Sequence, residues 1–124
     1  MSTNATDATL RLWQGETYEA TLTVYADAEG TTPLNLTTWG ITDVRCDFRT
    51  SYDASTATFS STLSGGEFTV SDPTKGVIDW EISASDMAGI PAGNYVYDVE
   101  IQNSGGKVKK IAAGTAIVRA EATK

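Results

Sequence analysis

The sequence predicts an all-β domain of short strands, a sandwich or a barrel. Two observations carry this: apolar and polar residues alternate with a period of two in segment after segment, and glycine- and proline-rich turn signals separate those segments. A third agrees with them, because the nearest approach to a helix is a single turn. At 124 residues the chain fits one domain, long enough to bury roughly two thirds of the surface of its unfolded form.

Strands are expected near 8–13, 16–26, 41–50, 56–63, 67–71, 76–83, 94–103 and 106–119. In the second, Tyr18, Ala20, Leu22 and Val24 alternate with Glu19, Thr21 and Thr23, the pattern of a strand with one face on a core. In the third, Val44, Cys46 and Phe48 alternate with Arg45, Asp47 and Arg49, and in the sixth Ile78, Trp80 and Ile82 alternate with Asp79, Glu81 and Ser83. The turn signals between strands are "DAEG" at 27–30, Pro33, "SGG" at 64–66, "SDPTKG" at 71–76, "IPAG" at 90–93 and "NSGG" at 103–106. "SASDMAG" at 83–89 reads as a connector, with Ser83 or Ser85 capping one turn before Gly89 and Pro91 stop it. Gly114 interrupts the last strand, as a bulge or a switch between sheets would. Residues 1–7 are expected to form a flexible N-terminal segment and 8–121 the single domain.

The seventh strand, "GNYVYDVEI" at 93–101, sets the register. With Tyr95, Tyr97, Val99 and Ile101 inward, Asp98 and Glu100 face water. A one-residue slip would bury two carboxylates at several kcal/mol each and would leave apolar side chains wet at roughly 1.5–3 kcal/mol apiece. That rivals the whole ~5–15 kcal/mol stability of a domain. The two acids share a face at ~6.5–7 Å, a spacing that glycosidase carboxylates also show. One face of a small sheet, however, gives little of the enclosure such chemistry needs.

Composition narrows the function classes. A net charge of −7 with nine Lys and Arg in all argues against nucleic acid, which calls for clustered cations. Lys107, Lys109 and Lys110 are the one tight basic group and read as solvated residues near a hairpin. The absence of histidine removes the usual general base, the histidine triads and most zinc sites. A single cysteine, Cys46, permits no internal disulfide, suits a reducing compartment, and reads as a small buried hydrophobe. Neither a secretory leader nor a bilayer-spanning run is expected, so the chain reads as soluble with no membrane partner.

Local motifs add little chemistry. "SGGK" at 104–107 lacks both the upstream glycine and the following Ser or Thr of a phosphate loop, and reads as a hairpin turn. Asp27, Glu29 and Asp72 lie in turns without the dense spacing of a calcium loop. No catalytic residue, cofactor or metal is therefore expected. Trp13 and Trp39 are candidate exposed aromatics, as partner contacts or as a sugar-stacking platform, and Trp80 reads as core. Arg45 and Arg49, outward on one strand, are candidate contacts because they form a local positive stripe on an acidic protein.

Tyr95, two positions before the inward Tyr97, resembles the corner tyrosine of immunoglobulin-like sandwiches, with Tyr97 where antibody domains place a cysteine. More broadly, "QGETYEATLTVYADAEGTTPLNLTTWGITDVRCDFR", "GVIDWEISASDMAGIPAGNYVYDVEI" and "GGKVKKIAAGTAIVRAEAT", in that order, resemble the immunoglobulin-like N-terminal domain of phage baseplate upper proteins and related small tail proteins. The likeness runs from about residue 14 to the end.

The resemblance implies an immunoglobulin-like β-sandwich of seven or eight mostly antiparallel strands and a non-enzymatic structural role in the virion, after synthesis in the bacterial host cytoplasm. Implied partners are other virion proteins of the tail or baseplate, or the major capsid protein, in a homo-oligomeric or multicopy assembly. Baseplate upper proteins continue into a receptor-binding part, whereas this sequence stops soon after its last strand. An accessory subunit is the expectation that follows. The alternatives are a capsid decoration (cement) protein and a carbohydrate-binding module on Trp13 and Trp39.

Overall fold

A computed structural model describes residues 6–27 and 29–123, with side chains from residue 8 onward. Two sheets pack face to face. One carries β1 (Thr6–Asp7), β2 (Leu10–Trp13), β9 (Val108–Arg119), β8 (Gly93–Asn103), β4 (Ile41–Arg49) and β5 (Phe59–Thr62); the other carries β3 (Tyr18–Thr23), β7 (Val77–Ile82) and β6 (Phe68–Asp72). β1 and β2 run in parallel along the same edge of β9, so the larger sheet is five strands wide. All other pairings are antiparallel. Thr6 and Asp7, which the sequence places in the terminal segment, thus extend this edge; residues 1–5 lie outside the described residues.

The chain changes sheets between β2 and β3, β3 and β4, β5 and β6, and β7 and β8, the crossings that make a sandwich of the two sheets. All eight expected strands are present. The expected connector is α2 (Ala84–Ala88), whose first turn is capped by the Ser83 hydroxyl accepting from Asp86 N–H. Trp39, which follows the expected turn signal at Pro33, ends one helical turn, α1 (Leu36–Trp39). Asn35 caps its start by accepting from Thr38 N–H, and Gly40 ends it at φ 80°.

The inward register of β8 is as the alternation predicts. Tyr95, Tyr97, Val99 and Ile101 are all buried while Val96, Asp98 and Glu100 are half-buried on the outer face. The Tyr95 hydroxyl donates to Pro91 C=O at 2.5 Å, closing the corner at the start of β8. Tyr97 donates to Ala8 C=O at 2.8 Å and so ties β8 to the edge strand.

Aromatic rings fill the space between the sheets. Trp80 on β7 stacks on Phe68 at 5.1 Å, meets Tyr18 edge-on at 5.2 Å and reaches across to Phe48 on β4 at 6.3 Å. Phe48 in turn contacts Phe59, Tyr95 and Tyr97. Ser61 is the one buried polar side chain among the described residues, and its hydroxyl accepts the Trp80 indole N–H at 3.1 Å. Leu36 from α1, and Met87 and Ile90 from the α2 crossing, are buried in the same core.

Cys46 is buried among these rings. Burial, reinforced by the charges of Asp98 and Asp47, pushes its thiol far above the ordinary value. A neutral thiol reagent is therefore expected to leave the native protein unlabelled and to modify one thiol per chain after denaturation. Rapid native labelling would place Cys46 at the surface.

Gly114 neither bulges β9 nor moves it to the other sheet. The register shift lies between Val99 and Glu100 on β8, which pair with Ala112 and Lys110 and leave Ile111 as the extra residue. Gly114, at φ +149°, is where the edge strand passes: a Cβ there would sit 2.3 Å from Ala8 O. Ala8 is the break between β1 and β2, and its N–H bonds to Ala113 C=O.

Candidate docking face

The outer face of the five-stranded sheet is an ordered ladder of charge. Cross-strand register puts Arg45 on β4 opposite Glu100 on β8, and Glu100 opposite Lys110 on β9. Arg45 Nη2 lies 2.5 Å from Glu100 Oε1, and Lys110 Nζ lies 2.7 Å from Glu100 Oε2 and 3.3 Å from Asp98 Oδ1. Arg45 Nε also approaches Asp43 at 3.6 Å. Asp47 sits directly opposite Asp98, a like-charge pair that a sheet tolerates only when each acid is compensated. Asp98 has Lys110, and Asp47 accepts from Arg49 Nη2 at 2.7 Å and from the Ser60 hydroxyl at 2.7 Å.

Arg45, Asp47, Arg49, Asp98, Glu100 and Lys110, with Tyr52, which is 70% exposed, line a shallow hollow of about 260 Å³. Asp98 and Glu100 are both in its wall, but their oxygens are engaged by Lys110 and Arg45. The arrangement offers fixed charge of both signs beside an exposed aromatic ring.

The positive stripe expected of Arg45 and Arg49 is thus corrected. Three cations face four carboxylates here: Asp43 and Asp47 stand on β4 beside the two arginines, and Glu100 and Asp98 come from β8, where a reading of β4 alone cannot find them. Arg49 is further tied down by donating to Ala54 C=O at 2.8 Å. Lys110, read as one of three solvated lysines, belongs to the ladder. Tyr52 was missed because it lies in an irregular loop whose tip has no periodicity.

The aromatic pair is corrected as well. Trp13, 42% exposed, stands opposite Arg119 at the end of β9, and the Arg119 guanidinium covers its ring at 4.7 Å. Trp39 is half-buried against the core and lies beside Val108 at the start of β9. Eleven residues of extended strand put the two rings roughly 30–35 Å apart, so they form no common sugar platform.

Asp27, one of the turn acids, is folded into its own loop: its carboxylate accepts from the Thr31 hydroxyl and from Thr31 and Thr32 N–H. The Thr31 hydroxyl, and then Thr32 N–H, hold it below the usual carboxylate range. Among the described residues no three of Asp, Glu, Cys and His gather to hold a metal ion.

The ladder gives a pH signature. Burial pushes the Asp47 carboxyl upward, but the bonds from Ser60 and Arg49 outweigh it and leave it below the usual range. A depressed folded value stabilises above the unfolded pKa of ~3.9 and stops doing so as pH falls through the folded value. The gap in thermal midpoint between wild type and Asp47→Asn is therefore expected to be widest above about pH 4 and to close below it. Lys110 behaves in the opposite sense: burial lowers it, yet the Glu100 bond and the Asp98 charge raise it overall. Its contribution is present below ~pH 10 and fades as pH rises further.

No family model matches this sequence, and no curated protein is similar enough to be matched with it.

Proposed function

We propose that this chain is a non-enzymatic structural protein of a phage virion, an accessory subunit that docks on the tail or baseplate. The observation that carries the reading is the order of the three resembling segments. They supply β3, β4, β7, β8 and β9, strands of both sheets that include the central ones, β9, β8, β4 and β7, so the likeness covers much of the framework of the sandwich. The ion-paired outer face with Tyr52 at its rim supports a contact role, since alternating charge in fixed register selects orientation and partner. Presentation in several copies would multiply weak contacts of this kind.

The experiment is to locate the chain by mass spectrometry in separately purified heads and tails. Recovery with tails is the expected result. Recovery with heads alone would make it a capsid decoration protein, and absence from both would overturn the virion role.

A further inference from the structure

We infer that the free edge of β3 is a binding site for an extended segment of another protein in which apolar residues alternate with lysine or arginine. β3 pairs with β7 alone, and among the described residues no strand is hydrogen-bonded to its other side. Val24 N–H donates to Gly76 C=O on the β7 side. Because successive residues alternate, the backbone N–H and C=O of Glu19, Thr21 and Thr23 point away from β7, toward the open edge. Six consecutive pairs with β7 run without a bulge, and the strand holds neither proline nor lysine, so of the usual devices that blunt an edge only the charge of Glu19 is present. The opposite edge of the same sheet, β6, has a register shift between Val70 and Asp72 and runs into Pro73.

The inner side of this edge is incompletely covered. Tyr18, Ala20 and Leu22 are only half-buried, whereas their β7 partners Ile82, Trp80 and Ile78 are fully buried. Beside them a mostly apolar hollow of about 230 Å³ opens between the sheets, bounded by Leu10, Leu22, Tyr18, Trp80 and Ile111. An added strand would send alternate side chains into this hollow, and the volume suits small or medium apolar groups.

Its other side chains would meet the outer face of the small sheet, which is acidic. Glu19 stands directly opposite Glu81, and Thr21 opposite Asp79. None of Glu19, Asp79 and Glu81 takes part in a salt bridge among the described residues. Cross-strand neighbours of opposite charge stabilise such a pairing and like charges oppose it, so the outward residues of the incoming strand are basic. The inference is independent of the particle to which the chain belongs.

The test uses the whole protein, isotope-labelled, with an acetylated Lys-Val-Lys-Val-Lys-Val hexapeptide as probe and amide exchange as readout. Exchange at Glu19, Thr21 and Thr23 is expected to slow about tenfold or more on saturation, with a Glu-Val hexapeptide and an order-scrambled Lys-Val peptide giving no such protection. Thr21→Pro removes an outward N–H and no backbone bond to β7, though it also removes the Thr21 hydroxyl's bond to Asp79 on β7, and is expected to weaken binding at least about tenfold. Thr21→Lys, which sets charge against charge on an intact ladder, is expected to do the same should the proline variant unfold. Unchanged exchange at the three amides, equal binding by the folded variants, or equal protection by the Glu-Val or scrambled peptide would overturn the inference. Peptide-free protection that grows with protein concentration would also overturn it, by giving the edge to a second copy.

Discussion

Trp80→Ala is expected to lower stability by about 3–5 kcal/mol, the cost of truncating a fully buried tryptophan. The thermal midpoint should fall by roughly 10–25 °C. Three contacts make this site the extreme one: the stack on Phe68, the edge of Tyr18 and the reach across the core to Phe48. A fourth separates packing from polarity. Trp80→Phe fills much of the volume but strands the buried Ser61 hydroxyl, which costs about 1–3 kcal/mol. Adding Ser61→Ala to Trp80→Phe should recover part of that loss, and a chemical denaturation series of the four proteins measures the coupling. Strict additivity would mean that the indole–hydroxyl bond contributes nothing.

Gly114→Val carries the second large effect, about 2–4 kcal/mol from an unfavourable backbone angle together with overpacking. The neighbour is backbone: Ala8 O at 2.3 Å, Ala8 C at 3.1 Å and Ala8 N at 3.3 Å from the added Cβ. It cannot swing aside as a side chain does. Ala8 is also the acceptor of the Tyr97 hydroxyl and the donor to Ala113, so relief of the clash would loosen the β1–β2 edge along β9. Gly105→Val, in a turn with a more distant neighbour at 3.5 Å, is the control and should stay within ~0.5 kcal/mol of wild type. Urea unfolding of both variants checks the contrast.

Strand identity was legible because the physics is local. Val44, Cys46 and Phe48, or Ile78, Trp80 and Ile82, could not have been placed on the wet face without losing the core. The α1 turn was less visible. Its Asn35 cap and Gly40 stop are ordinary signals, but four residues with two β-branched threonines show no helical period. Pairing partners were not legible at all, since the parallel seating of β1 and β2 on β9 depends on Ala8 crossing over Gly114. The charge ladder fails for the same reason. Arg45 and Arg49 look like a positive stripe until the register brings Glu100 to Arg45 and Asp47, between them on β4, turns to Arg49. Likewise, Trp13 and Trp39 look like a pair until the length of β9 separates them.

β8 keeps one side dry and turns the other, charged side outward. The most direct test of this arrangement replaces Val96, Asp98, Val99, Glu100 and Ile101 singly with cysteine in a Cys46→Ala background and times their reaction with a soluble thiol reagent. Rapid labelling at 96, 98 and 100 with slow labelling at 99 and 101 is the predicted result. Equal rates along the strand, or fast reaction at 99 and 101 with protection at 98, would contradict it.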